Sequence, residues 1–290
     1  NMNIIDDLKL QYRTGGIVIK LIFWNTALFV LPWLFFTLLS LFGVTINYIQ
    51  YVSLSSNPTD LLWKPWSLFS YAFFHTGIMH IVFNMIVLNF AGRLFMTYFT
   101  AKQLFGLYVL SAIFAGISYV LVFYLLNISA PIIGASAAIM AILVAVTTYY
   151  PLMQIRLLII GNVKLWHITA VIIIVDLMQL RSGNMGGHIS HLSGALFGFI
   201  FIKLLQNGTD LSKVVARVLD FFANIFKKKT STPFKKVHKN YQKPVEKSSS
   251  KIIAKDKSQQ QIDEILDKIS QSGYDSLTKE EKEFLFKVGK

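Results

Sequence analysis

The sequence predicts an all-α polytopic membrane protein: six transmembrane helices in a bundle, followed by a small cytoplasmic helical C-terminal extension. Three observations carry this prediction. Hydrophobic residues fill 54% of the 290 positions and charged residues only 15%, too apolar a balance for a soluble domain of this length. The apolar residues collect into runs of bilayer length. The charge is segregated: residues 1–206 hold 10 Lys/Arg and 4 Asp/Glu, whereas 207–290 hold 18 and 11. The tail is therefore a solvated, basic appendage.

Residues 1–20 read as a cytoplasmic N-terminus ahead of a six-helix membrane domain over 21–206. Spans are expected near Leu21 to Val44, Ile78 to Tyr98, Leu104 to Leu126, Ile133 to Tyr150, Leu165 to Leu180 and Ile189 to Leu205. No cleavable signal is expected, because the first run is long enough to span and no A-x-A-like site follows it. Six spans put both termini on one side. Lys9, Arg13, Lys20, Arg93, Lys102, Arg156, Lys164, Lys203 and the basic tail fall on that side, and only Lys64 and Arg181 on the other. The positive-inside rule then makes both termini cytoplasmic, in a plasma (inner) membrane. The fourth span is short if its helix starts near Ser136. Non-helical backbone over Asn127 to Gly134 would then lie below the membrane surface, where it must be covered by protein or line a water-filled cavity.

The loop after the first span, "NPTDLLWKPWSLFSY", places Trp63 and Trp66 at the outer interface. Past the sixth span, Leu211, Val214, Val215, Val218, Leu219, Phe222, Ile225 and Phe226 recur at helical spacing, so 207–229 reads as an amphipathic helix on the inner leaflet. A basic, disordered linker is expected over 230–258. In 259–290, Ile262, Ile265, Leu266 and Ile269 form a stripe, Gly273 can end that helix, and Thr278 with Glu281 spells a capping box. A helical hairpin this small is expected to dock on a partner.

The absence of cysteine excludes disulfides, thiolate catalysis and cysteine-ligated metals. Nucleic-acid binding is not expected, because Lys/Arg beside membrane spans records orientation and attraction to anionic lipid. No cofactor or metal is implied: there is no H-E-x-x-H and no carboxylate set near the histidines.

Polar residues inside spans are functional candidates. "FFHTGIMHIVFNM" puts His75 at the outer end of the second span, His80 slightly deeper, and Asn84 one turn below His80 on the same face. "GGHISHLSGALFG" puts His188 at the mouth of the sixth span and His191 about one turn in, and Ser136 opens the fourth. Ala137, Ala141 and Ala145 line one stripe of the fourth span, Gly194 and Gly198 one of the sixth, and small residues at this spacing let two helices touch. That contact would bring Ser136 to an imidazole able to take its proton and pass it to a leaving amine. Backbone N–H groups at Ser136, a His80 ring nitrogen and the Asn84 amide are the available oxyanion donors.

"HTGIMHIVFN", "GASAAIMA" and "HISHLSGALFG", in that order across six spans with a Trp-bearing outer loop, resemble the rhomboid intramembrane serine proteases. The resemblance implies a rhomboid-like bundle, with Ser136 as nucleophile, His191 as general base and acid, and His80 and Asn84 completing the oxyanion hole beside the Ser136 backbone N–H. It also chooses His191 over His188. It implies that single-span transmembrane proteins are cut in or near their membrane segments, close to the outer face. The chain departs from the family in Ala137, where Gly follows the serine, and in Trp66-Ser67, where the family has Trp-Arg. His75 is expected to be mainly structural, tying the loop to the second span, and to stand with His188, Ser182 and Asn184 at a polar mouth open to water, while Met140 is core filling. Asp176 is expected as an end-cap or ion pair near Arg181, outside the catalytic group. The rival readings are a catalytically inactive rhomboid-like protein that binds or escorts clients, and a histidine-relay transporter, for which the two halves lack the repeat.

Overall fold

The structure, a computed structural model, describes residues 3–157, 161–181, 183–226 and 249–288, with the side chains of 226 and 249–258 left aside. The chain divides into two compact units, Asn1–Lys228 and Lys229–Lys290.

The first unit opens on α1 (Ile4–Thr14), whose Asn3 side chain accepts from Ile5 N–H and whose first turn carries Asp6 and Asp7. Acidic residues at a helix N-terminus complement its dipole, so part of the segment expected only as an N-terminus is helical. The long helix α2 (Ile17–Leu41) follows. The loop after α2 folds through α3 (Ile49–Val52), strand β1 (Leu54–Ser55), α4 (Asp60–Trp63), α5 (Ser67–Ser70) and a 3-10 turn at Tyr71–Phe73. Helix α6 (Ile78–Met96) and helix α7 (Ala101–Leu125) lead to strand β2 (Pro131–Ile132) and α8 (Ser136–Tyr149). An antiparallel hairpin, β3 (Gln154–Leu157) and β4 (Gly161–Lys164), precedes α9 (Leu165–Met178) and α10 (Met185–Gln206).

Among the described residues four helices, α2, α6, α7 and α10, are long and apolar enough to cross a membrane. The expected fourth and fifth spans are shorter, because α8 and α9 have 14 residues each. Such helices rise about 21 Å against a hydrocarbon core of about 30 Å. In α8 the shortness has a visible cause. The chain before Ser136 is held out of the helix by pairing of β2 with β1, Leu54 opposite Ile132 and Ser55 opposite Pro131. Ser56 N–H donates to Ala130 O (3.1 Å), Gly134 N–H to Tyr71 O (2.8 Å), and the Tyr119 hydroxyl to Ala130 O. The non-helical backbone before α8 is thus covered and satisfied by the loop between α2 and α6, as buried backbone polar groups demand.

That loop is itself fastened without an arginine. Trp66 donates its indole N–H to Tyr51 O (2.8 Å), and the buried Ser67 donates its hydroxyl to Lys64 O (2.6 Å). Trp63 and Trp66 are both exposed.

Helix α8 is the centre of the unit, with every residue from Ala137 to Val146 buried. It touches α10 along the small residues. A Cβ on Gly194 would fall 2.1 Å from Ala137 O, and one on Gly198 would fall 2.2 Å from Ala141 O, so only glycine fits at either place. Thr147 and Thr169 share a 2.7 Å hydroxyl contact between α8 and α9. Large apolar side chains face outward on α2, α6 and α9, among them Leu31, Phe35, Phe83, Ile86 and Val171, a surface suited to lipid. After α10, helix α11 (Ser212–Phe226) exposes Val214, Val218, Leu219, Phe222 and Ile225 and buries Val215, within the expected 207–229 amphipathic segment.

In the second unit α12 (Ser249–Ser272) begins inside the segment expected as linker, while 227–248 and His238 lie outside the described residues. Gly273, at φ +76°, ends α12. Thr278 N–H donates to Glu281 Oε2 (2.8 Å) and Glu281 N–H to Thr278 Oγ1 (3.3 Å), the expected box at the start of α13 (Lys279–Val288). Lys268 of α12 reaches Glu281 at 2.9 Å, and Ile265 and Leu277 are buried in this small unit.

Two outcomes follow. Gly198→Leu forces side-chain atoms into the Ala141 carbonyl and should destabilise the bundle by about 1–3 kcal/mol, read as a lower thermal midpoint in detergent. A midpoint equal to wild type would contradict the close contact. The Lys268 ammonium, and after it the Thr278 N–H, hold the Glu281 carboxyl below its ordinary value of 4.5. The cap's contribution is therefore complete above that value and is lost as pH falls through the lower folded one. The Thr278 amide resonance, followed from about pH 6 to about pH 2, should titrate below the ordinary value.

Candidate active site

Ser136 is the first residue of α8, and its side chain is partly buried. No side chain caps this helix start. The N–H groups of the first turn are consequently available to an anion or a developing oxyanion. Ala137, next in sequence, is buried at 1% exposure, and the helix facing it presents Gly194. It is the Ala137 backbone that Gly194 meets, since a Cβ on residue 194 would fall on the Ala137 carbonyl.

His80 and Asn84 lie one turn apart on α6, as the spacing predicts, and the Asn84 amide donates to His80 O (2.9 Å). That amide has a second N–H to offer. Gly134, at φ +134°, fixes the His80 ring: a Cβ there would sit 2.8 Å from His80 Cε1 and Nε2, and 3.9 Å from Ser136 Oγ. The nitrogen edge of His80 and the serine hydroxyl thus flank one point, reached only because residue 134 lacks a side chain. His75 is buried, its ring edge-on to His80 with centroids 5.0 Å apart. Among the described residues neither His75 nitrogen has a hydrogen-bond partner. It supports His80 by packing and is not part of an open mouth.

On α10 the structure departs from expectation. His188, expected at the mouth, is only 8% exposed, and its Nδ1 lies 2.7 Å from Asp176 Oδ1. His191 Nδ1 lies 3.0 Å from the same oxygen. Asp176 is therefore neither an end-cap nor an Arg181 partner, because it is turned inward from α9 between two imidazoles of α10. The reason is packing: α9 and α10 are joined by a short 3-10 turn, Gln179–Arg181, and run side by side, which carries a residue near the end of one to the first turns of the other.

Ser136, His80, Asn84, His191, Asp176 and Met140 all line one cavity of about 880 Å³. Asn184 lines it too, whereas Ser182 lies outside the described residues. Apolar residues such as Phe83, Val87, Val171 and Val175 make up much of the remaining wall. Among the described residues, Asp176 is the one carboxylate on this wall, and no hydrogen bond joins Ser136 Oγ to His191. Met140 is buried in the core beneath the cavity.

Asp176, His188 and His191 offer one ligand atom each within 4.8 Å of one another. Their N–O separations of 2.7 and 3.0 Å are hydrogen-bond lengths. Atoms sharing a tetrahedral zinc at about 2.0–2.1 Å would stand roughly 3.3 Å apart. The cluster accordingly fits a shared carboxylate better than a metal centre. A hydroxyl, an imidazole backed by a carboxylate, and a set of N–H donors around one apolar cavity can do acyl-transfer chemistry.

Comparison with known proteins gives the family. Residues 62–207, just over half of the chain, match the Rhomboid domain. Residues 253–288 match a family of unknown function (DUF6576). A search for similar curated proteins returns no match. The Rhomboid match holds α6 to α10 and every residue of the cavity named above, so this chain belongs to the rhomboid family and is a multi-pass integral membrane protein.

Proposed function

We propose that this protein is an intramembrane serine endopeptidase that hydrolyses a peptide bond in or near a transmembrane segment of single-span substrates. The observation that carries the reading is the α8 to α10 contact, which brings the helix start bearing Ser136 beside the turn bearing His191, with both on one cavity wall.

In this mechanism His191 Nε2 accepts the Ser136 hydroxyl proton as Oγ bonds to the scissile carbonyl carbon. The carbonyl electron pair moves to oxygen. That oxyanion is held by the Ser136 backbone N–H, the second Asn84 N–H and a His80 ring N–H. Collapse breaks the C–N bond, and the proton on His191 passes to the leaving amine. Water then gives its proton to His191, attacks the acyl-serine through the same donors, and restores Ser136. The absent Ser136–His191 hydrogen bond is compatible with this, because such contacts commonly tighten only with substrate bound. The apolar wall suits a substrate helix, and helix-weakening residues with a small residue at the cut are expected in it.

All six apolar helices are taken as spanning, α8 and α9 with their ends sheltered inside the bundle, which supports cytoplasmic termini and a site opening to the outer face of a plasma (inner) membrane. Membrane lipid contacts the exposed apolar residues of α11. The C-terminal hairpin is proposed to engage a partner, with Leu266, Tyr274 and Phe286 exposed upon it.

The test is cleavage of a panel of single-span reporters in liposomes. Ser136→Ala and His191→Ala should each abolish cutting, and Asn84→Ala should lower kcat by about 10²–10³. Cutting that survives both dyad changes would sink the reading, and reporters bound but uncut by wild type would favour the inactive client-binding rival. Gly134→Ala, which displaces the His80 ring, should lower kcat on the order of tenfold or more with protein yield unchanged. Wild-type kcat in that variant would remove His80 from the oxyanion site.

A further inference from the structure

Asp176 stands apart from the Ser-His dyad that the family resemblance supplies. It is 4% exposed, on an apolar helix, and its Oδ1 takes both imidazoles of α10 while Oδ2 has no partner among the described residues. A buried carboxylate needs a reason to be retained, because removing it from water is expensive unless it is paired. Here the pairing is one-sided. Both His188 and His191 present Nδ1 to the same oxygen.

A carboxylate only accepts hydrogen bonds, so each Nδ1 it contacts must carry a proton. A neutral ring protonated at Nδ1 is bare at Nε2. That bare nitrogen is the one a general base needs.

We infer that Asp176 is a positioning residue for His191: its Oδ1 fixes the Nδ1–H tautomer and the ring orientation, leaving Nε2 to take the Ser136 proton. The inference rests on the proposed protease reading and extends the dyad to Ser136, His191 and Asp176. Asp176 remains a carboxylate throughout. The proton moves between Ser136 Oγ, His191 Nε2 and the leaving amine, and the nearby negative charge stabilises the imidazolium in between. His188 has a supporting part. It donates to the same oxygen at 2.7 Å and holds the carboxylate in place from one turn earlier on α10. Asn at position 176 would preserve the shape but could donate to His191 Nδ1, favouring the opposite tautomer.

The experiment uses the full chain in detergent or liposomes, with reporter cleavage measured for wild type, Ser136→Ala and Asp176→Asn. Asp176→Asn is expected to lower kcat on the order of 10²–10⁴-fold, as amide replacement of a triad carboxylate does elsewhere, with KM within about twofold. A nitrogen-15 spectrum of histidine-labelled wild type supplies a measurement that needs no variant to fold. It should show His191 with Nδ1 protonated and Nε2 bare at neutral to mildly alkaline pH. Three results would overturn the inference: wild-type kcat in Asp176→Asn, an Nε2–H tautomer of His191, or activity lost to a chelator and restored by zinc. Cleavage surviving Ser136→Ala would instead refute the protease reading itself, so the two failures are distinguishable.

Discussion

The contact between α8 and α10 is the constraint on which the rest of this structure depends. Lipid offers helices no hydrophobic reason to associate, so the two must touch by backbone packing. Gly194 against the Ala137 carbonyl and Gly198 against the Ala141 carbonyl let them do so. Everything chemical is then a matter of register. The glycine that meets Ala137 follows His191 by one helical turn, and Ser136 precedes Ala137 directly. Had α10 carried larger side chains at these two places, the imidazole would stand off from the hydroxyl by the width of a side chain.

The same contact explains why a 14-residue helix can sit at the centre of a membrane protein. Helix α8 is buried along its length, and its start is roofed by the β1–β2 pair and by Tyr71 and Tyr119. Ser136, at the uncapped start of that helix, lines a cavity. A short helix whose start is set back behind the β1–β2 pair leaves room for that cavity. The apolar wall toward α6 and α9, with His80, Asn84, His191 and Asp176 gathered around Ser136, makes it a place where a peptide carbonyl could be held away from bulk water.

Much of this was legible in the sequence. The start of the fourth helix at Ser136, the alanine and glycine stripes, the stacking of Asn84 under His80, and the Thr278 to Glu281 box each follow from local periodicity, and the structure repeats them. What escaped were relations between elements. The place of Asp176 is one of these, because periodicity along α9 does not show that a short turn sets α9 beside α10. The signal was present in two histidines three residues apart on one face of the next helix, with a lone intramembrane acid just before them. The burial of His188 is another, since depth along a helix does not say which of its sides is covered. Helix α1 and the β3–β4 hairpin do carry local signals, in Asn3 followed by Asp6 and Asp7 and in the alternation through Gln154 to Leu157. Glycine at 134 carried a meaning that only three dimensions supply, because what it makes room for is the ring of His80.

The proposed protease reading makes Ser136 a nucleophile activated by its place against α10. The most direct measurement is reaction of the purified protein with a fluorophosphonate, followed by mass spectrometry of the peptide bearing Ser136. A covalent adduct on Ser136 that disappears in Ser136→Ala and His191→Ala is the predicted result. An unmodified Ser136 in protein that is folded and reconstituted in lipid would contradict the account.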